Sequence, residues 1–162
     1  YDQCQSFRGN HVDYYVVERK PAVGIIAFTT ERQLILERQY RHPAQEWIIE
    51  APAGLMDKGP ESAPQTIKRE LLEETGYQIK KVRHLIDLYA SAGVLEHAFK
   101  LYIGFDAVRI AEPALDQSED LEVMLMDLDQ AIGMIKSKKI KDAETIVGIM
   151  LAQDYIKEHG YN

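Results

Sequence analysis

Glu70, Glu73 and Glu74 stand at positions i, i+3 and i+4 of the segment RELLEETG. At about 100° per residue these carboxylates share one face of a single helix. Like charges at that spacing destabilise an isolated helix by roughly 0.2–0.5 kcal/mol per pair. In a partly buried cleft, two carboxylates ~6 Å apart repel by about 3 kcal/mol at an effective dielectric near 20. A chain that concentrates such repulsion needs a cation beside it, and all-oxygen donors favour Mg²⁺ or Mn²⁺ over zinc or copper. The helix is predicted from about Ser62 to Thr75, with Ala63, Ile67 and Leu71 on its buried stripe and Gly76 at a left-handed C-cap. An acidic helix face is ordinarily just solvated. Here the turn-rich APAGLMDKG that leads in, and Arg69 directly before the first glutamate, set this one apart.

The whole stretch GLMDKGPESAPQTIKRELLEETGY, residues 54–77, resembles the Nudix box. In that box a glycine and a spaced glutamate precede an RE-apolar-x-EE-x-G-apolar run. The matching positions are Gly54, Glu61, Arg69, Glu70, Leu71, Glu73, Glu74, Gly76 and Tyr77. Six residues separate Gly54 from Glu61, one more than the family pattern has, whereas the seven between Glu61 and Arg69 are intact. The additional residue is placed in the loop around Lys58 to Pro60, where insertions are tolerated, so the carboxylates keep their phase. The resemblance implies an α/β/α sandwich with mixed sheets and a catalytic loop–helix–loop. It also implies divalent ions held by Glu70, Glu74, Glu73 and the carbonyl of Ala53. Arg69 would hold the glutamates through salt bridges, and Glu61 would brace the loop–helix junction.

At 162 residues the chain is most simply one domain, long enough for a real core. Its 46% hydrophobic and 28% charged residues are ordinary globular composition. The net charge of −7 argues against general affinity for nucleic acid or anionic membrane. It does not argue against a small anionic substrate, because a bound divalent metal inverts the local field. The lone Cys4 excludes an intramolecular disulfide and fits a reducing compartment. No apolar run approaches the ~20 residues of a membrane span. No charged-then-apolar leader opens the residues given, and the cytoplasm is the expected location.

Val12–Val17 and Ala22–Thr29 read as strands, broken by Lys20 and Pro21, and Leu34–Tyr40 completes a hairpin with the second of them. Trp47–Ala51 is a short strand entering the Pro52–Gly54 turn. Ile79–Leu88, Phe99–Asp106 and Leu121–Met126 are further strands. Helices are expected over Leu128–Lys136, capped by Asp127, and Ala143–His159, capped by Asp142. The last carries Ile146, Ile149, Met150 and Tyr155 toward the core. Strands with interspersed helices indicate an α/β arrangement with mixed sheets.

The resemblance extends beyond the box. LERQYRHPAQEWIIEAPAGLMD is similar to the segment that precedes it in the ADP-ribose pyrophosphatase branch, where a QYR strand end leads to E-x-PAG. Arg41 is then assigned to the substrate's diphosphate or terminal ribose, since guanidinium presents a fork to phosphate oxygens. Glu50 either orients ribose hydroxyls or braces the loop. DQSEDLEVMLMDLDQ resembles the later part of the same branch, where a loop glutamate is the base that activates water. Glu119 matches best, with Asp120 and Glu122 as competitors, and Glu122 is also a candidate metal ligand. YASAGVLEHAF takes the place of a motif reading roughly SPG…E, with Ala92 for the proline and Glu96 one residue early. His97 beside it reads as structural. Tyr14, Tyr15 and Glu18 lie on the first predicted strand. In this branch the N-terminal strands, here about residues 1–45, reach across a homodimer toward the nucleobase. Stacking of a tyrosine on a base contributes on the order of 1–3 kcal/mol, although alternating apolar and aromatic residues also simply denote a strand.

The expected activity is Mg²⁺-dependent hydrolysis of a nucleoside diphosphate derivative, ADP-ribose foremost, to AMP and ribose 5-phosphate, with Mn²⁺ as the other candidate ion. The alternatives are a nucleotide sugar such as GDP-mannose, a dinucleoside polyphosphate, or a non-catalytic nucleotide-binding module. All four box glutamates are present, which speaks against the last.

Overall fold

The computed structural model describes residues 1–115 and 120–161. Strand β3 (Ala22–Thr29) is apolar on both faces and buried along nearly its whole length. Such a strand is stable only when covered from both sides. Its odd residues Val23, Ile25 and Ala27 face one core cluster and its even residues Ile26 and Phe28 face the other. The first cluster is closed by Ala63, Ile67 and Leu71 of α1 (Ala63–Thr75), the second by Ala131 and Ile132 of α2 (Leu128–Lys136) and Ile149 and Ala152 of α3 (Ala143–His159). Each fully buried Ile or Leu contributes about 1.5–3 kcal/mol. These layers make an α/β/α sandwich around a mixed sheet, as expected.

β3 runs parallel to β9 (Phe99–Arg109) and antiparallel to β4 (Leu34–Arg41). With β4 it shares only the pairs Ala27↔Ile35 and Phe28↔Leu34. Beyond them the two strands part. β4 pairs with β5 (Glu46–Glu50) on this side and β10 (Leu121–Met126) on the other, while β3 takes up β6 (Ala53–Leu55). The chain from Glu50 to Ala53 therefore crosses a fork in the sheet, where Ile25 N–H donates to the Pro52 carbonyl at 3.0 Å. β7 (Tyr77–Gln78) and β8 (Arg83–Leu88) both pair with β9.

Helix α1 starts where the sequence places it. Ser62 is its N-cap, the Ser62 N–H donates to Gln65 Oε1 at 2.9 Å, and Pro64 occupies the first turn. Gly76 closes it at φ 76°, and a Cβ there would fall on the Ala111 carbonyl, so glycine is required twice over. Asp142 caps α3 by accepting from Thr145 N–H at 2.8 Å, whereas Asp127 holds the N-cap position of α2 without a side-chain cap bond.

Four expectations are corrected. The first strand is shorter, β2 (His11–Tyr14), and is preceded by an unforeseen β1 (Asp2–Gln5) with which it forms a separate two-stranded ribbon. Tyr15 and Glu18 thus lie outside it, because the chain leaves the ribbon and instead pairs Val17 with the 94–95 segment. The strand over Ile79–Leu88 is shorter, since within it only Arg83–Leu88 finds register on β9, and a separate two-residue β7 (Tyr77–Gln78) precedes it. Met150 is exposed rather than core-facing, because it sits one residue round the helix from the stripe of Thr145, Gly148, Ile149 and Ala152. No helix among the described residues is long and apolar enough to cross a membrane.

Candidate active site

A cavity of about 780 Å³ opens at the fork, bounded by the end of β4, the Glu50–Leu55 crossing, α1, the 95–99 segment and the first turn of α3. Glu70 and Glu74 of α1 line it, with Ala53, Gly54, Arg41 and Glu50. The close approach of α1 to β6 is a sequence effect. A Cβ on Gly54 would fall on the Glu70 carboxyl group, so this glycine makes room for the carboxylate. One helical step on, Glu74 is almost fully buried, and its Oε2 accepts from the Ala53 N–H at 3.2 Å. Both carboxylates are thereby held against the same two residues of backbone.

Arg69 organises the remaining acids. Its Nε donates to Glu61 Oε2 at 3.1 Å, and its Nη1 donates to Glu70 Oε1 at 2.8 Å and Glu73 Oε2 at 2.9 Å. Burial would lower the Arg69 pKa, but bonds to Glu61 and Glu73 and the charge of Glu70 raise it well beyond its ordinary value. Glu61 thus braces the loop–helix junction through Arg69. Lys58, in the loop carrying the extra residue, adds a second cation 3.0 Å from Glu73 Oε2. Glu73 is pulled below the usual carboxylate range: desolvation pushes it up, and the bonds from Lys58 and Arg69 outweigh that. Glu70 goes the other way, raised by burial that Arg69 only partly offsets. Glu73 is not among the residues that line the cavity.

Arg41 and Glu50 form a fork-to-fork pair across β4 and β5. Arg41 Nε lies 3.0 Å from each Glu50 oxygen and its Nη2 lies 2.5 Å from Oε2. Glu50 is buried, so the bond is strong and directional; it raises the Arg41 pKa more than burial lowers it. Glu50 thus holds the Arg41 side chain in place. Arg41, so held, is one of the residues lining the cavity.

The other candidates scatter. Glu119 lies outside the described residues. Asp120 is exposed, and its carbonyl accepts from Tyr40 N–H at 3.4 Å. Glu122 pairs across from Arg38 and meets its Nη1 at 3.4 Å, on the face of β4 opposite Gln39 and Arg41. His97 lines the cavity; Glu96, 3.6 Å from it, lines a smaller hollow of about 380 Å³ with Tyr14 and Glu18. Tyr15 is exposed, its ring 5.5 Å from that of Tyr1, and lines neither. The sequence pattern did not single out Arg19, Lys20, Glu144 or Thr145 as cavity residues. The ERK run ahead of Pro21 was the available signal for the first two; Asp142 was legible only as a cap.

As they stand, no three or more acidic, His or Cys side chains among the described residues converge closely enough to hold a metal ion. The donor set nevertheless fits a hard cation. It is all oxygen, and the buried Glu74 and half-buried Glu70 lie against the Ala53–Gly54 backbone.

A family model described as the NUDIX domain matches residues 18–147. The chain belongs to the Nudix family. It is 32% identical over 165 residues to the ADP-ribose pyrophosphatase of Bacillus subtilis, covering 92% of this chain and 89% of that one. It is 34% identical over 139 residues to the methanol dehydrogenase activator of Bacillus methanolicus, covering 85% and 75%. It is also 33% identical over 143 residues to the GDP-mannose pyrophosphatase of Citrobacter koseri, covering 82% and 73%. A crystal structure of an ADP compounds hydrolase superposes with a TM-score of 0.83 at 20% identity, over 99% of this chain and 86% of that one, which shows a shared fold. This Nudix protein is accordingly a hydrolase of the ADP-ribose pyrophosphatase-like branch.

Proposed function

We propose that this single Nudix domain hydrolyses the diphosphate linkage of ADP-ribose, giving AMP and ribose 5-phosphate, in the cytoplasm and with Mg²⁺ as the preferred ion and Mn²⁺ as a substitute. The observation that carries it is the shared cavity in which Glu70 and Glu74 press on the Ala53–Gly54 backbone while a Glu50-held Arg41 faces the same space. A diphosphate resists attack because its oxygens repel a nucleophile, and catalysis rests on positioning and charge neutralisation. Glu70, Glu74, Glu73 and the Ala53 carbonyl would hold the cation, which when bound neutralises phosphate charge and acidifies water. Arg41 binds the diphosphate or the terminal ribose, with Glu50 orienting it. Arg69 keeps the glutamates from splaying apart. Glu119 takes the proton from the attacking water. A net charge of −7 supports a small ligand over nucleic acid or an anionic membrane surface. In a homodimer, Tyr15 and Glu18 would be supplied to the partner's substrate.

A nucleotide sugar such as GDP-mannose is the second reading, favoured by the Citrobacter koseri relative. A panel of ADP-ribose, GDP-mannose and dinucleoside polyphosphates, assayed with Mg²⁺ and with product analysis, decides between them. ADP-ribose should be turned over with the highest kcat/KM, and preference for GDP-mannose would reassign the substrate.

A further inference from the structure

The Glu50–Ala53 crossing supports both halves of the candidate site, and among the described residues three backbone bonds outside its own strand ladders hold it. Ile25 N–H reaches the Pro52 carbonyl, Ala53 N–H reaches Glu74, and Ala51 N–H reaches the hydroxyl of Thr145 at 2.8 Å, from a residue 94 positions away. Thr145 is 1% exposed and sits in the first turn of α3, where its own N–H is capped by Asp142. It reaches the crossing because α3 lies unusually close to the sheet. A Cβ on Gly148, one turn further along the same stripe, would come within 2.7 Å of Ile26 and 3.2 Å of Leu101. Thr145 also borders the cavity itself.

We infer that Thr145 is a positioning residue: its hydroxyl sets the β5–β6 crossing so that Glu50 aims Arg41 into the cavity and Ala53 meets Glu74. The inference rests on the proposed diphosphate hydrolysis for its kinetic consequence, though not for the bond itself. Ala51 precedes the Ala53 amide by two residues and follows Glu50 directly, so a shift at Ala51 moves both. Losing the acceptor leaves a buried N–H unsatisfied, and the crossing must move to solvate it.

Thr145→Val keeps the shape and removes the acceptor, Thr145→Ser keeps the acceptor, and Thr145→Cys offers a weak one should the valine variant not fold. The Ala51 amide should lose hydrogen-exchange protection in the valine and cysteine variants and keep it in the serine variant. The KM for ADP-ribose should rise about fivefold or more in the first two, the low end of what an unsatisfied buried donor costs, and return to within about twofold in the serine variant. A valine or cysteine variant that is less heat-stable but has wild-type KM and kcat well below its melting temperature overturns the inference and leaves Thr145 merely structural. Wild-type protein that hydrolyses no member of the substrate panel overturns the functional reading instead, and the exchange data then still decide whether Thr145 fixes the crossing.

Discussion

Glu74 is the residue on which the most depends, because it is the most buried of the box carboxylates and touches the backbone it would share with a cation. Glu74→Gln keeps its size and hydrogen bonding and removes the charge. Turnover with saturating Mg²⁺ should fall at least ~10²-fold, roughly 2.7 kcal/mol. Normal turnover in that variant would remove Glu74 from the ligand set. Glu70 offers a test that needs no turnover. Its carboxyl titrates above the ordinary range when folded, chiefly through burial. A raised folded pKa means that the folded state is favoured while the group is protonated, and that this advantage is lost as pH rises through it. Metal-free Glu70→Gln should therefore melt higher than wild type at neutral pH, with the gap closing as pH drops through the carboxylate range. Glu73, held low by Lys58 and Arg69, has the opposite sign: it stabilises at neutral pH and ceases to on acidification. A gap that stays constant with pH would show that Glu70 carries no burial strain. For Glu119, Glu119→Gln should lower turnover by about 10²–10⁴-fold with nearly unchanged metal affinity, the range of general-base catalysis. Full activity there, with Glu122→Gln or Glu96→Gln inactive, would move the base to that residue.

At the scale of elements, legibility followed the strength of local signals. α1 was readable to within one residue because its cap, apolar stripe and C-terminal glycine all agree. β3 was readable as a continuous apolar run with clear ends, and α3 by its Asp142 cap and the spacing of Ile146, Ile149 and Tyr155. The site's acidic half was visible because it lies within one helix. Its basic half was visible only through resemblance, since Arg41 pairs with Glu46 in the β4–β5 ladder and reaches Glu50, four residues further along β5, only by its long side chain. The fork between β3 and β4 had no sequence signature at all. It arises because β5 and β6 compete for the inner edges of those strands, a tertiary outcome. Thr145 was invisible for that reason: a threonine in the first turn of a helix is unremarkable until the element 94 residues earlier is in place. The expected source of compensation for the acidic face was likewise incomplete. Arg69 and Lys58 already supply two cations from the box itself, so the repulsion is shared between protein and any bound ion.

At the scale of the whole molecule, the unsupported part is the N-terminal ribbon. Among the described residues β1 and β2 pair only with each other, and a two-stranded hairpin is marginal in water without a third surface. Tyr1, Phe7, Tyr14 and Tyr15 are all exposed on or beside it, as is Tyr89 across the smaller hollow. A second copy of the chain would cover these groups and bring Tyr14, Tyr15 and Glu18 to a neighbouring cavity. An isologous interface of that kind should exceed ~1,000 Å². Deleting Tyr1 to Glu18 removes the ribbon and leaves β3, α1 and the acidic cluster untouched. The truncated protein should sediment as a monomer and bind ADP-ribose more weakly, while its metal-dependent thermal shift stays near that of the full chain. A full chain that scatters light as a monomer at micromolar concentration, with undiminished turnover, would show that each chain completes its own site. Tyr15 and Glu18 would then have no route to the substrate, because within one chain neither lines the cavity that Arg41 and Glu74 share.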